Sequence, residues 1–387
     1  MKILKFIYHL IYKIFYGMIG FCFSFFPIHK KKIVFQNFGG KGYGDNPKYI
    51  AEEMLKQNKP YHLVWLVKDM ESVLPNGIHK VKYGSIRAYY ELATAKVWID
   101  NIRNGLRVRK KKKQFYIQTW HGSIPLKKIE KSAEELLDRN YIKKAKKDGK
   151  ITDLMLSNSK WCTQLYLNDF WYSGEVLEKG VPREDMLARN PQDFQLKVKD
   201  FFGLSQSKKI ILYAPTFRQT RNMDVFTFDY EEAISAFENS FKDEFVLLIR
   251  LHPNDTMLYQ HIKESERVIN ASSYPDMQEL LLASDILITD YSSTMFEFSA
   301  IQKKVFLFTK DLQQYLQTER EMYFSITELP FPIAKTEEEL IHNILTFDES
   351  YYNQNVQSFM NLLNYYPLGS ASKEVVQYID MMIKNKR

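Results

Sequence analysis

Two histidines, two arginines and a run of hydroxyls stand directly after short apolar stretches of this sequence, and these are the residues best placed to do chemistry. In parallel α/β sheets, ligands bind in the crevice outside the carboxyl ends of the strands, so polar side chains at those ends come first. The first cluster is Gln118-Thr119-Trp120-His121-Gly122, which closes the apolar run 115–119. A histidine there, beside a glycine that leaves room for a ligand, can take a proton from an alcohol at neutral pH. Most lone histidines are structural, and this one is open to either reading. The second cluster, Tyr213-Ala214-Pro215-Thr216-Phe217-Arg218, offers a hydroxyl and a guanidinium. Arg218 suits bidentate contact with phosphate, or is a solvated surface arginine.

The third cluster is Arg250-Leu251-His252-Pro253, where the proline prevents the strand from continuing and His252 could donate to a diphosphate oxygen. The fourth, Asp290-Tyr291-Ser292-Ser293-Thr294, lies between the strand 286–289 and the helix 295–301. Backbone N–H groups and hydroxyls at a helix start make a phosphate site, although plain N-capping by a serine or threonine accounts for the same residues. No D-x-D pair, G-x-x-x-x-G-K-[ST] loop or H-x-x-x-H pair accompanies the four clusters. Phosphoryl transfer by positioning and positive charge fits this set. It implies no obligatory cofactor; Mg2+ is compatible, but no protein metal motif is present.

The elements that must position these residues alternate. Strands are expected over 33–38, 61–67, 96–101 and 115–119, and helices over 48–57 and 85–92. The second half repeats the scheme with strands 209–213, 245–250 and 286–289 and helices 230–241 and 276–283. This is an α/β chain of two Rossmann-like domains facing across a cleft. A polar stretch at 191–207 marks the boundary. The expected organisation is an amphipathic helix over 1–31, an N-terminal Rossmann-like domain over 32–195 and a C-terminal Rossmann-like domain over 196–387. The helices 355–363 and 372–383 are candidates to cross back to the first domain.

Composition supports an enzyme-sized folded chain: 387 residues, 45% hydrophobic and 26% charged. A formal charge of +8 with 27 Phe and 25 Tyr points to a surface that meets an anionic partner. Cys22 and Cys162 are too far apart in sequence, and too few, for a disulfide framework or a zinc site. At the N-terminus, Lys2, Lys5, His9 and Lys13 fall on one helical face, apolar residues cover the rest, and His29-Lys30-Lys31-Lys32 follows. The apolar run 14–26 is shorter than the roughly 20 residues that span a bilayer. This reads as a helix lying in an anionic membrane interface, against the alternative of a core helix.

The clusters, in order and spacing, resemble the CDP-glycerol glycerophosphotransferase family of teichoic acid synthesis. The resemblance runs over about residues 35 to 340. It is carried by Gly40-Lys41-Gly42-Tyr43 with Asp45-Asn46-Pro47, Leu92-Ala93-Thr94-Ala95-Lys96-Val97-Trp98, Thr119-Trp120-His121-Gly122 with Pro125-Leu126-Lys127, Gly180-Val181-Pro182-Arg183 with Asp185, and the second, third and fourth clusters above. It implies a glycosyltransferase-B-like fold, a CDP-linked donor held mainly by the C-terminal domain, and an acceptor approaching from the N-terminal one. By this carry-over His121 resembles the general base and His252 the residue at the donor diphosphate. Thr216, Arg218, Arg250, Asp290, Ser292, Ser293 and Arg320 fall on the donor side. Asp45, Asn46, Trp120, Gly122 and Lys127 fall on the acceptor side. The last motif departs from the family pattern: Glu321 follows Arg320, Ser325 stands near the expected acid, and Pro330-Phe331-Pro332 replaces a glycine form.

The reaction so implied moves glycerol phosphate from CDP-glycerol to a hydroxyl of an undecaprenyl-diphosphate-linked wall precursor and releases CMP. CDP-ribitol as donor, or a capsule polymer as acceptor, is the alternative within the enzymes. Its setting is peripheral, on the cytoplasmic face of the membrane. The compact length favours single addition over long polymerisation. The basic runs 103–113 and 143–150 also allow a non-catalytic lipid- or nucleic-acid-binding protein, but two histidines at strand ends argue against that class and against nucleic acid as a partner.

Overall fold

A computed structural model describes residues 15–122, 124–218, 223–252, 256–318 and 321–384. The chain divides into two compact units. Unit 1 comprises Met1–His121, Leu137–Asp185 and Tyr366–Arg387; unit 2 comprises Gly122–Leu136 and Met186–Tyr365.

Unit 1 is built on a seven-stranded sheet of order β3-β2-β1-β4-β5-β6-β7, with every pair parallel. The strands are β1 (His29–Gln36), β2 (His62–Val67), β3 (Ile78–Lys82), β4 (Ala95–Asp100), β5 (Phe115–Gln118), β6 (Leu154–Ser157) and β7 (Glu175–Glu178). Successive side chains of a strand point to opposite faces, and both faces here are apolar. Ile33, Phe35, Trp65 and Val97 face α2 (Asp45–Lys56). Val34, Val64, Leu66 and Trp98 face α3 (Ile86–Thr94). The helices α4 (Arg139–Ile151) and α5 (Lys160–Asp169) flank β6 in the chain. Chain order reverses between β1 and β4, and a crevice for ligands opens at the carboxyl ends of two such strands.

Unit 2 repeats this plan with a six-stranded parallel sheet of order β10-β9-β8-β11-β12-β13. Its strands are β8 (Lys209–Tyr213), β9 (Phe245–Ile249), β10 (Val268–Asn270), β11 (Ile286–Thr289), β12 (Lys304–Phe308) and β13 (Ile333–Ala334). Its helices are α6 (Pro191–Phe202), α7 (Tyr230–Phe241), α8 (Met277–Ala283), α9 (Thr294–Ala300), α10 (Leu312–Thr318), α11 (Glu337–Leu345) and α12 (Glu349–Leu363). Ile234 and Phe237 of α7 and Leu340 and Ile344 of α11 bury one face of the sheet. Here the order reverses between β8 and β11.

Two helical segments complete unit 1 from either side of the chain. The first, α1, is described over residues 15–23. Tyr16 meets Tyr89 at 5.0 Å, and Ile19 and Phe23 pack on the α3 face of the sheet. Gly20 permits this approach, because a Cβ there would stand 2.5 Å from the carbonyl oxygen of Arg107. Phe15, Met18, Phe21 and Phe25 are exposed. The expected basic face of Lys2, Lys5, His9 and Lys13 lies outside the described residues. Among the described residues no helix is long and apolar enough to cross a membrane.

The second segment, α13 (Ala371–Lys384), packs on α2 and buries Val375, Val376 and Ile379 in the core of unit 1. Its start is held by Asp185, whose carboxylate accepts the backbone N–H groups of Gly369 (3.1 Å), Ala371 (2.9 Å) and Ser372 (2.6 Å). Loss of a helix-start acceptor costs about 1–2 kcal/mol. Asp185→Ala is therefore expected to lower the stability of unit 1 by about that amount, measured by urea unfolding followed in the far ultraviolet.

Candidate active site

In unit 1 the side chain of Asn101 knits the ends of the two central strands together. Its Oδ1 accepts from the backbone N–H of Phe38 (2.8 Å), and its Nδ2 donates to Oδ1 of Asn37 (2.8 Å). The carbonyl oxygen of the same residue meets Nδ1 of His121 at 2.7 Å. A carbonyl oxygen only accepts, so Nδ1 carries the proton, and the neutral ring has its basic nitrogen at Nε2. The imidazole lies against the rings of Trp120 (4.4 Å) and Phe38 (5.2 Å).

The turn that presents His121 is constrained on both sides. Trp120 has a positive φ of 56°, a region a bulky residue rarely enters. It is held there by its own N–H, which donates to Oε1 of Gln118 (2.9 Å), and by its carbonyl oxygen, which accepts from Nδ2 of Asn46 (3.2 Å). Asn46 is fully buried, and its Oδ1 also accepts from the backbone N–H of Arg183 (2.9 Å). Asp45 pairs with the Arg183 guanidinium at 3.0 Å. Asp45 and Asn46 thus spend their polar atoms inside unit 1, tying the start of α2 to the histidine turn.

In unit 2, the second and fourth clusters come together at the β8/β11 switch point. Asp290 is buried, and its Oδ1 accepts from the backbone N–H of Thr216 (2.8 Å), from the Thr216 hydroxyl, and from the N–H of Tyr291 (2.6 Å). Its Oδ2 accepts from Arg218 at 2.7 Å. The Arg218 guanidinium forks onto Asp311 as well, through Nε (2.7 Å) and one terminal nitrogen (3.1 Å), while the other donates to the Thr216 carbonyl (2.6 Å). Tyr291 donates to Asp311 (3.0 Å), and the rings of Tyr291 and Tyr315 stack at 3.7 Å with the guanidinium beside both. Burial works against the charge of Arg218, but Asp290 and Asp311 more than offset it, so its pKa is raised. Burial, followed by the charge of Asp311, raises that of the Tyr291 phenol.

Arg218 is accordingly neither a solvated arginine nor one presented outward: four of its five N–H groups are spent on Asp290, Asp311 and the Thr216 carbonyl. Arg250 also turns inward, donating to the carbonyl oxygens of Tyr274 (2.5 Å) and Ala271 (3.5 Å), and burial lowers its pKa. His252, two residues on, is exposed, with its ring 5.8 Å from that of Phe217. Ser293 occupies the N-cap position of α9 but makes no side-chain cap bond. The Ser292 hydroxyl accepts from Thr294, at 3.4 Å from the backbone and 2.9 Å from the side chain. Gly122, with φ +90°, lies in unit 2, where a Cβ would stand 3.4 Å from the Ser293 hydroxyl.

Lys127 also belongs to unit 2, although the family resemblance grouped it with the acceptor side. The reason is that its segment joins 321–323: Lys128 donates its backbone N–H to the Glu321 carbonyl (2.7 Å), and Tyr323 donates to that of Leu126 (2.8 Å). Its ammonium lies 5.0 Å from the Tyr315 ring. Arg320 lies outside the described residues. Asp311 and Tyr315 are members of the cluster that the four motifs omit. The signal for Asp311 is present in Thr309-Lys310-Asp311, a polar stretch directly after an apolar run. Among the described residues no group of three or more His, Cys, Asp or Glu is placed to hold a metal ion.

Two parallel sheets of this order, each with polar clusters at its switch point, define a doubly wound α/β protein of two Rossmann-like units. The family model for CDP-glycerol:poly(glycerophosphate) glycerophosphotransferases matches residues 19–381, and the chain belongs to that family. It is 31% identical to the teichoic acid poly(glycerol phosphate) polymerase of Bacillus spizizenii, over 95% of each chain. It is 32% identical to the teichoic acid glycerol-phosphate transferase of Staphylococcus aureus, over 83% of this chain and 85% of the other. The solved structure of the wall teichoic acid polymerase TagF superposes with a TM-score of 0.83 at 29% identity, covering 99% of this chain and 98% of that one. The chain also spans 52% and 49% of two longer polymerases. Since one relative of matching length is named a polymerase, chain length does not separate single addition from polymerisation.

Removing one partner of a buried ion pair costs roughly 3–5 kcal/mol. Arg218→Ala is expected to destabilise unit 2 by about that amount. Arg218→Lys should recover little of it, because an ammonium lacks the planar fork that both carboxylates use. Denaturant unfolding of the three proteins checks both expectations.

Proposed function

We propose that this chain transfers glycerol phosphate from CDP-glycerol to a hydroxyl of an undecaprenyl-diphosphate-linked precursor of wall teichoic acid or a related surface polymer. The observation that carries the reading is the bond from Nδ1 of His121 to the Asn101 carbonyl, which makes Nε2 the proton-accepting nitrogen at the end of β5. The family description, which names CDP-glycerol, supports the donor.

In the proposed step the acceptor hydroxyl loses its proton to His121 as its oxygen attacks the β-phosphorus. The bond from that phosphorus to the bridging oxygen breaks, a phosphodiester forms, and CMP leaves with the bridging oxygen. In-line displacement of this kind needs positioning and charge stabilisation more than covalent catalysis. His252 and the hydroxyls of Ser292 and Ser293 are the donor-phosphate contacts. Thr216, Arg218 and Asp290 act as a positioning set that fixes the loops after β8 and β11, and Arg250 anchors the loop that carries His252. The exposed row Phe15, Met18, Phe21 and Phe25, next to a lysine-rich N-terminus, supports peripheral attachment to an anionic membrane at its cytoplasmic face.

His121→Ala is expected to cut CMP release by about 10²-fold to 10⁴-fold while leaving the thermal unfolding midpoint in place. Near-normal turnover in that variant rules out the base assignment. Parallel assays with CDP-glycerol and CDP-ribitol, using the same acceptor, decide the polyol; faster turnover of CDP-ribitol overturns the donor named here.

A further inference from the structure

Both basic stretches of the sequence contribute to one cavity of unit 1 that the transfer chemistry leaves unused. Its volume is about 1350 Å3, and it lies at the carboxyl ends of β2, β3 and β4. Lys68 follows β2, Lys82 closes β3, Arg107 and Arg109 lie in the loop after β4, and Lys144 and Lys147 stand one turn apart on α4. The nearby carboxylates are already engaged: Asp148 with Arg103 at 3.2 Å and Asp153 with Lys110 at 2.7 Å. Among the described residues, the six cations named first form no ion pair. The preceding chain cannot neutralise them either, since no acidic residue occurs before Asp45.

The walls are of the opposite character. Tyr89, Trp98 and Val108 are buried side chains that line the cavity, and Tyr16 of α1 closes one side. Val108 alternates with Arg107 and Arg109, so one short loop supplies apolar wall and basic rim together. Beyond Tyr16 the apolar surface continues outward, with Phe15 in edge contact at 5.4 Å and Met18, Phe21 and Phe25 exposed. Six uncompensated cations around one cavity repel one another and favour a multivalent anion. Aromatic walls leading to an exposed apolar helix face favour an anion that carries a hydrocarbon chain. A nucleotide would stack its base on the wall and inorganic phosphate would use the rim alone, but neither accounts for the apolar face of α1 that continues outward.

We propose that this cavity receives the diphosphate headgroup of a prenyl lipid, with the rim cations on the phosphates and the chain leaving along Tyr16 and the outward face of α1. The loop that begins with Asn101, the residue holding His121, continues into the rim, so a headgroup bound there is continuous with the histidine turn through one backbone segment. Only the identification of this lipid as the acceptor rests on the proposed transfer reaction; the binding itself does not.

The test is calorimetric titration of the full chain with farnesyl diphosphate, inorganic diphosphate and CDP-glycerol in separate runs. Farnesyl diphosphate should bind at least ten-fold more tightly than inorganic diphosphate. The double variant K144E/K147E should weaken farnesyl diphosphate at least ten-fold and leave CDP-glycerol affinity and the melting midpoint unchanged. K144A/K147A, expected to show a smaller loss in the same direction, serves if charge reversal disturbs folding. Equal affinity for the two diphosphates, or no loss in either variant, overturns the proposal. Prenyl diphosphate binding that is lost in the variants, in a protein that never releases CMP, sustains this site while sinking the transfer reaction.

Discussion

The guanidinium of Arg218 is withdrawn from water between the carboxylates of Asp290 and Asp311, and the loops after β8, β11 and β12 take their positions from it. A buried charge is tolerated only when paired and fully hydrogen-bonded, so the three loops cannot move independently. Thr216 is fixed by Asp290, Tyr291 by Asp311, and Tyr315 by stacking on Tyr291. The hydroxyls of Ser292 and Ser293 follow directly from this frame. A motif that reads as a phosphate-binding arginine with a donor-side aspartate is, in the folded chain, a clamp that shapes the ground on which a donor would rest.

Unit 1 solves the same problem with neutral amides beside the ion pair of Asp45 with Arg183. Asn101 and Asn46 use amides where unit 2 uses charges, and between them they fix the start of α2, the end of β1 and both sides of the histidine turn. The imidazole of His121 takes its orientation from the same frame, through the Asn101 carbonyl. The carbonyl behind Nδ1 sets its tautomer without adding a negative charge that would favour the protonated ring.

Much of this was legible in the order of residues. The runs 209–213, 230–241 and 286–289 coincide with β8, α7 and β11, because continuous apolar strands and a clear helical period leave little ambiguity. The edge strands β3 and β7 carry His79, Lys80 and Glu175 on half-exposed backbone, and their apolar signal is correspondingly weak. The clusters with His121 and Asp290 were marked by polar residues after strands. What no local pattern shows is that Arg218 is occupied, since its partners lie 72 and 93 residues away. Likewise, the transfer of 122–136 to unit 2 depends on pairing with 321–323, which has no signature in either segment.

The return of α13 to the first sheet has a consequence for biosynthesis. Val375, Val376 and Ile379 complete a core whose other members, from Ile33 to Val181, leave the ribosome far earlier. From the completion of β7 at Glu178 until α13 is made, the first sheet has one apolar face lacking its final cover, while the last elements of unit 2, β13 and α12, are both synthesised before α13. The unit that starts second can finish first, and until α13 docks, the nascent first unit is the part of the chain most in need of a chaperone.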